Sequence, residues 1–216
     1  MRVDAASVLA RRRVVLSVLA PAIFGSSRIL RPSPSHAASS IPFKLPIPDG
    51  FVSLPPPKDQ SDTLFVAGNF RTGTTISVQR VDATALRKLL PINSPPCEDG
   101  AALLCQESAA SLAIALAAYR DRQAAPSGCR SEPIAGTVRL GDGGKLTFEM
   151  QLALASGSPD PELSRHTAVS VIGLSALSGG AGGGDLICLW AGAKTSEWEA
   201  GDGPVLLRSV EAFALY

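Results

Sequence analysis

Histidine is nearly absent: His36 and His166 are the only two in 216 residues. That count excludes a site built from several imidazoles. The four cysteines, Cys97, Cys105, Cys129 and Cys188, include no CxxC pair. Zinc-ribbon ligation is excluded with it. Aromatic residues make up 5% of the chain, and Trp190 and Trp198 are the only tryptophans. Two indoles are too few for an aromatic ligand platform. Trp190 is expected in the core, and Trp198 at the sheet edge near the last helix. No apolar run approaches the roughly 20 residues of a membrane-crossing helix. The glycine cluster at residues 179–184 has no Lys-Ser or Lys-Thr behind it, and a strand pattern follows. A phosphate loop needs a helix N-terminus there, so this stretch reads as a hairpin tip.

What is present divides sharply by charge. Residues 1–37 carry six arginines against Asp4 alone, while the rest of the chain carries 14 basic and 18 acidic side chains, a net charge of −4. A mildly acidic body lacks the basic footprint that nucleic acid or an anionic membrane requires. In the first segment, Arg11-Arg12-Arg13 is followed by an apolar run over residues 14–25 and then by Ser35-His36-Ala37-Ala38. A basic start, a short apolar stretch and small residues at a cut between Ala37 and Ala38 are the three parts of an export signal. Arg12-Arg13-x-Val15-Leu16 also resembles a twin-arginine signal. The expected organisation is a cleavable segment at 1–37, a proline-rich extended lead-in at 38–57 and a folded domain at 58–216. At 45% hydrophobic and 18% charged, that domain has the composition of a globular core.

The periodicities predict an α+β fold with an antiparallel sheet of about six strands sandwiched by helices. Residues 51–54 suit a short edge strand. Residues 64–71 and 74–81 suit two strands turned at Thr72-Gly73. Residues 83–90 suit a short helix stopped by Pro91, and residues 107–122 the longest helix. Strands are expected at 137–140, 145–154, 167–174 and 186–193. The third-last segment of that pattern is strictly alternating: Leu146, Phe148, Met150, Leu152 and Leu154 on one face, Lys145, Thr147, Glu149 and Gln151 on the other. Such alternation sets one face on a core and the other on solvent. The chain ends in a helix with Pro204 in its first turn and a Leu206, Val210, Phe213 stripe. Short connections favour antiparallel pairing.

Few residues carry chemistry. Cys188 and His166 could form a nucleophile and base on neighbouring strands, but Cys188 sits in an apolar run and reads as a small core hydrophobe. His166 reads as a strand-start side chain near solvent. Cys97, Cys105 and Cys129 lie at loop positions, so an oxidising compartment could close a Cys97–Cys105 or Cys105–Cys129 disulfide. Asp59, Asp62, Glu197 and Glu199 are dispersed and read as solvated loop charges. No catalytic, cofactor-binding or metal-ligating set emerges from these residues.

Pro48-Asp49-Gly50-Phe51 resembles the P-x-G-W opening of the PsbP family, with Phe in place of Trp. The two following strands, ending in Ile76-Ser77-Val78-Gln79-Arg80, are similar to that family's first hairpin. Asp185-Leu186-Ile187-Cys188, residues 191–198, and then Leu207, Val210, Ala212 and Phe213 resemble its last strand, Trp-containing loop and closing helix. The resemblance spans residues 48–215 and is densest at the two ends. Residues 91–133 match nothing specific, and a long N-terminal arm is lacking.

The resemblance implies an antiparallel sheet between helices and a lumenal, extrinsic role. The protein is then expected to be a non-catalytic accessory or assembly factor of a photosynthetic complex, related to the photosystem II oxygen-evolving complex. Its partners would be subunits of a photosystem or another thylakoid membrane complex. At family level a bound calcium or manganese ion is implied, with no ligands identifiable in this chain. Two rival readings remain: a secreted or periplasmic small-ligand-binding domain with a pocket between helix and sheet, and a Cys/His-dependent hydrolase.

Overall fold

The computed structural model describes residues 42–56, 61–90, 101, 103–104, 107–124, 129–141, 144–154, 164–174 and 184–216. The processing site at Ala37 and Ala38, Asp59, Cys97, Cys105 and the 179–183 glycines lie outside them.

Ten strands and four α-helices follow one another among the described residues. The chain enters through β1 (Phe43–Lys44) and β2 (Val52–Leu54). A hairpin of β3 (Thr63–Asn69) and β4 (Thr74–Asp82) leads to α1 (Ala83–Arg87) and the long α2 (Ala109–Ala124). Then come β5 (Cys129–Pro133), β6 (Arg139–Leu140), β7 (Leu146–Leu154), β8 (Arg165–Gly173) and β9 (Asp185–Lys194). The single turn α3 (Thr195–Glu197) passes through a π-helical turn (Trp198–Asp202) into α4 (Gly203–Ala212), and β10 (Ala214–Leu215) ends the chain.

Eight strands form one antiparallel sheet in the order β2-β3-β4-β9-β8-β7-β5, with β6 also paired to β7. Since β8 occupies one edge of β7, β5 and β6 share the other. The expected count of about six is exceeded by two strands. β5 was not expected, because Cys-Arg-Ser-Glu-Pro has neither alternation nor β-branched residues. It forms because Asp121 of α2 holds it: the Ser131 amide donates to Oδ2 at 2.7 Å and its hydroxyl to Oδ1 at 2.6 Å.

Helices cover both faces of the sheet, α1 and α2 the first and α4 the second. On the first face, Leu112 and Leu116 of α2 pack with Val81, Leu146, Phe148, Val169, Leu186 and Cys188. On the second, Leu206 and Val210 of α4 pack with Ile76, Val78, Ala168, Ile187 and Leu189. β9 lies at the centre and is buried on both faces from Leu186 to Ala193. The alternation of β7 places Phe148 and Met150 on the α2 face as the pattern requires.

Local signals fix the helix ends. Asp82 caps α1 by accepting from the Thr84 amide at 2.8 Å, and Ser108 caps α2 by accepting from the Ser111 amide at 3.1 Å. At the far end of α4, the Lys145 ammonium donates to the carbonyls of Glu211 and Phe213 at 2.7 and 2.8 Å. These are the carbonyls that helix geometry leaves unpaired. Burial lowers the Lys145 pKa below its ordinary range. Phe213 is not part of the helical stripe: it is the extended residue after α4, and it fills the core from outside the helix.

The described part of the proline-rich lead-in, residues 42–56, holds two short strands and is built into the fold. β1 pairs with β10, Phe43 meets Phe65 edge-on at 6.2 Å, and Ser209 donates to the Pro46 carbonyl at 2.9 Å. The Pro48-Asp49-Gly50 turn therefore lies against α4.

Candidate functional site

The α2 face of the sheet changes character along its length. On β4 the side chains facing α2 run from Val81 through Gln79 and Ser77 to Thr75, because alternate residues share a face. On β9 they run from Leu186 and Cys188 through Trp190 to Gly192. The register sets Gly192 between Thr75 of β4 and Thr167 of β8, and sets Arg165 one row further out. Over this polar row stands the last part of α2, with Arg120 and Asp121.

The result is a cleft of about 300 Å³ between helix and sheet, lined by Thr75, Ser77, Arg120, Arg165, Thr167 and Gly192 with Trp190 at its inner end. Gly192 keeps its floor low. A Cβ there would lie 2.8 Å from Thr167 Oγ1, well inside contact distance.

Two guanidiniums meet this cleft. Arg120 donates through Nη1 to Gln79 Oε1 at 3.0 Å and lies over the Trp190 ring, 5.3 Å from its centroid. Arg165 donates through Nη2 to the Gly73 carbonyl at 3.3 Å. Neither forms an ion pair with a carboxylate among the described residues. Asp121 lies in the same cleft, but both its oxygens accept from Ser131. Burial, and next the charge of Arg165, lower the Arg120 pKa. Trp190 is buried and its Nε1 has no hydrogen-bond partner.

On the opposite face, His166 departs from its expected place near solvent. Its ring stacks on Trp198 with centroids 3.9 Å apart and an interplanar angle of 10°. Its Nε2 lies 2.7 Å from Glu149 Oε2. Trp198 thus seals the histidine and does more than cap a sheet edge. Gly203 lies against this indole, where a Cβ would come within 2.8 Å of the ring.

Cys188 is fully buried in the α2-side core, and burial pushes its thiol well above the ordinary range. With His166 on the α4 side, the sheet itself separates the two. The hydrolase reading loses its nucleophile–base pair to strand parity. Cys129 has a free thiol at the start of β5. Asp62 and Glu199 are exposed, as expected of loop charges, while Glu197 is half-buried.

This layering of sheet and helices has a known counterpart. The chain is similar to the solution structure of cyanobacterial PsbP (CyanoP) from Synechocystis sp. PCC 6803, with a TM-score of 0.51 over 81% of this chain and 86% of that one. The fold is PsbP-like. Sequence identity over the match is 14%, so the likeness is one of fold. No protein-family model and no curated protein sequence matches the chain.

Among the described residues of this PsbP-like domain, no three His, Cys, Asp or Glu side chains are gathered as metal ligands. No described helix is long and apolar enough to cross a membrane. Sequence reading missed both arginines of the cleft, because Arg120 and Arg165 meet only through the β8–β9 register and the packing of α2.

Proposed function

We propose that the protein is a non-catalytic, lumenal accessory or assembly factor of a photosynthetic complex, acting by protein–protein contact. The observation that carries this reading is the PsbP-like fold, matched over 81% of the chain. The export-type segment at residues 1–37 supports it independently, since a lumenal protein must be carried across a membrane. The separation of Cys188 from His166 by the sheet removes the one nucleophile–base pair that the sequence offered.

A contact role asks for exposed, rigidly held side chains. Phe70, 73% exposed, stands on the β3–β4 turn, and Val52 is exposed on the edge strand β2. Val52 lies on the sheet's edge strand, and Phe70 on the turn that joins the next two strands. An aromatic on a short turn between two paired strands loses little freedom when it is covered.

The test is native separation of solubilised thylakoid membranes followed by detection of this chain. Co-migration with a photosystem or another thylakoid complex, and release by a salt wash, is the expected result. Recovery only as a free chain, with no cross-link to any subunit of such a complex, would remove this reading.

A further inference from the structure

The cleft between α2 and the sheet holds more donors than the protein uses. Each guanidinium carries five N–H donors. Arg120 and Arg165 each donate one hydrogen bond, to Gln79 and to the Gly73 carbonyl. The Trp190 Nε1–H is a further donor without a partner, on a side chain only 2% exposed. A buried donor left unpaired is costly, so folded proteins rarely keep one without a reason. Hydroxyls of Thr75, Ser77 and Thr167 line the same space.

The pattern is not a packing gap. A gap between apolar layers would be lined by the Leu and Val residues that fill the other end of this layer. Here β4 presents Thr75, Ser77 and Gln79, and β9 presents no side chain at all at Gly192. Arg120 and Arg165 are held in one cleft, where burial and then the charge of Arg165 lower the Arg120 pKa, and an anion that enters between the two cations is favoured. Planar guanidiniums match carboxylate and phosphate oxygens in a two-pronged geometry. Met150 and Leu152 supply an apolar wall beside them.

We propose that this cleft is a binding site for an oxyanion group, a carboxylate or phosphate, with Arg120 and Arg165 as the charged clamp. Trp190 closes the inner end, and Gly192 leaves the room for the ligand. The site goes beyond the accessory reading above and does not depend on it.

The test uses the isotope-labelled full chain and follows the arginine Nε–H and tryptophan Nε1–H resonances. Inorganic phosphate and succinate are titrated separately at constant ionic strength, so that screening is held fixed. The two tryptophans make an internal control, because Trp198 lies on the opposite face of the sheet.

The proposal expects the Trp190 and arginine signals to move saturably with at least one anion while Trp198 stays in place. Response to phosphate alone assigns a phosphorylated ligand. Response to succinate alone assigns a carboxylate, and response to both a general oxyanion site. Arg165→Gln should weaken binding by roughly tenfold or more, the value of one charge-assisted hydrogen bond. Arg120→Gln should do the same, with its fold checked by an unmoved Trp198 signal. Absence of saturable shifts with either anion overturns the proposal. So does equal movement of both indoles, or an Arg165→Gln chain that titrates like the parent.

Discussion

The layer between α2 and the sheet has two ends made from the same strands by opposite rules. At one end Leu112, Leu116, Val81, Phe148, Leu186 and Cys188 close on one another with no exposed surface to speak of. At the other, β4 gives Thr75 and Ser77, β8 gives Arg165 and Thr167, and α2 gives Arg120 and Asp121. Strand parity decides which face a side chain meets, and it is the same along the whole strand. What differs is the choice of residue at each repeat. The apolar end therefore carries stability, and the polar end is free to carry recognition.

Five substitutions or conditions sharpen that contrast. Phe148→Ala empties the closed end and should cost about 3–5 kcal/mol in chemical denaturation. Arg165→Gln at the open end should stay within about 0.5 kcal/mol. Similar losses from the two would erase the distinction between them.

Gly192→Val should lose about 1–3 kcal/mol, because the new Cβ collides with Thr167 Oγ1 and β-branched Thr167 has little rotamer freedom to yield. A neutral result would mean that the cleft floor is not held by this close approach.

Alkaline titration probes the closed end again. The Cys188 thiol is raised by burial above its ordinary value of 9.0. The unfolded chain then releases this proton first, so stability is full below about pH 9 and falls as pH rises, by at most about 1.4 kcal/mol per pH unit. Tyr119, raised chiefly by burial, adds a loss of the same sign above its ordinary value of 10.0. Denaturation of parent and Cys188→Val at rising pH should show the shallower decline in the variant. Identical slopes would mean that Cys188 is reached by solvent.

Lys145→Met gives the smallest loss of the substitutions expected to destabilise. It keeps the apolar stem but uncaps the Glu211 and Phe213 carbonyls, for a loss of about 1 kcal/mol. Thermal melting measures it, and an unchanged midpoint would assign those carbonyls to water.

Much of the fold was legible because its signals are local. The alternation of Leu146, Phe148 and Met150, the Thr72-Gly73 turn and Pro204 in the first turn of α4 each act over a few residues. The misses are non-local. β5 is a strand because Asp121 holds Ser131, and β1 exists only because β10 returns to pair with it. Phe213 keeps the helical spacing but packs from beyond the helix end. His166 looked solvent-facing because neither Glu149 nor Trp198 is near it in sequence. The cleft was hidden for the same reason. An arginine on a helix and another on a strand carry no joint pattern until register brings them together.

The proposal that this chain with a PsbP-like fold works in the thylakoid lumen is tested most directly by its mature N-terminus. Fractionation with terminal-peptide mass spectrometry should find a chain beginning at Ala38 in the lumenal fraction. A chain that retains residues 1–37 and is recovered from stroma or cytosol would contradict the account.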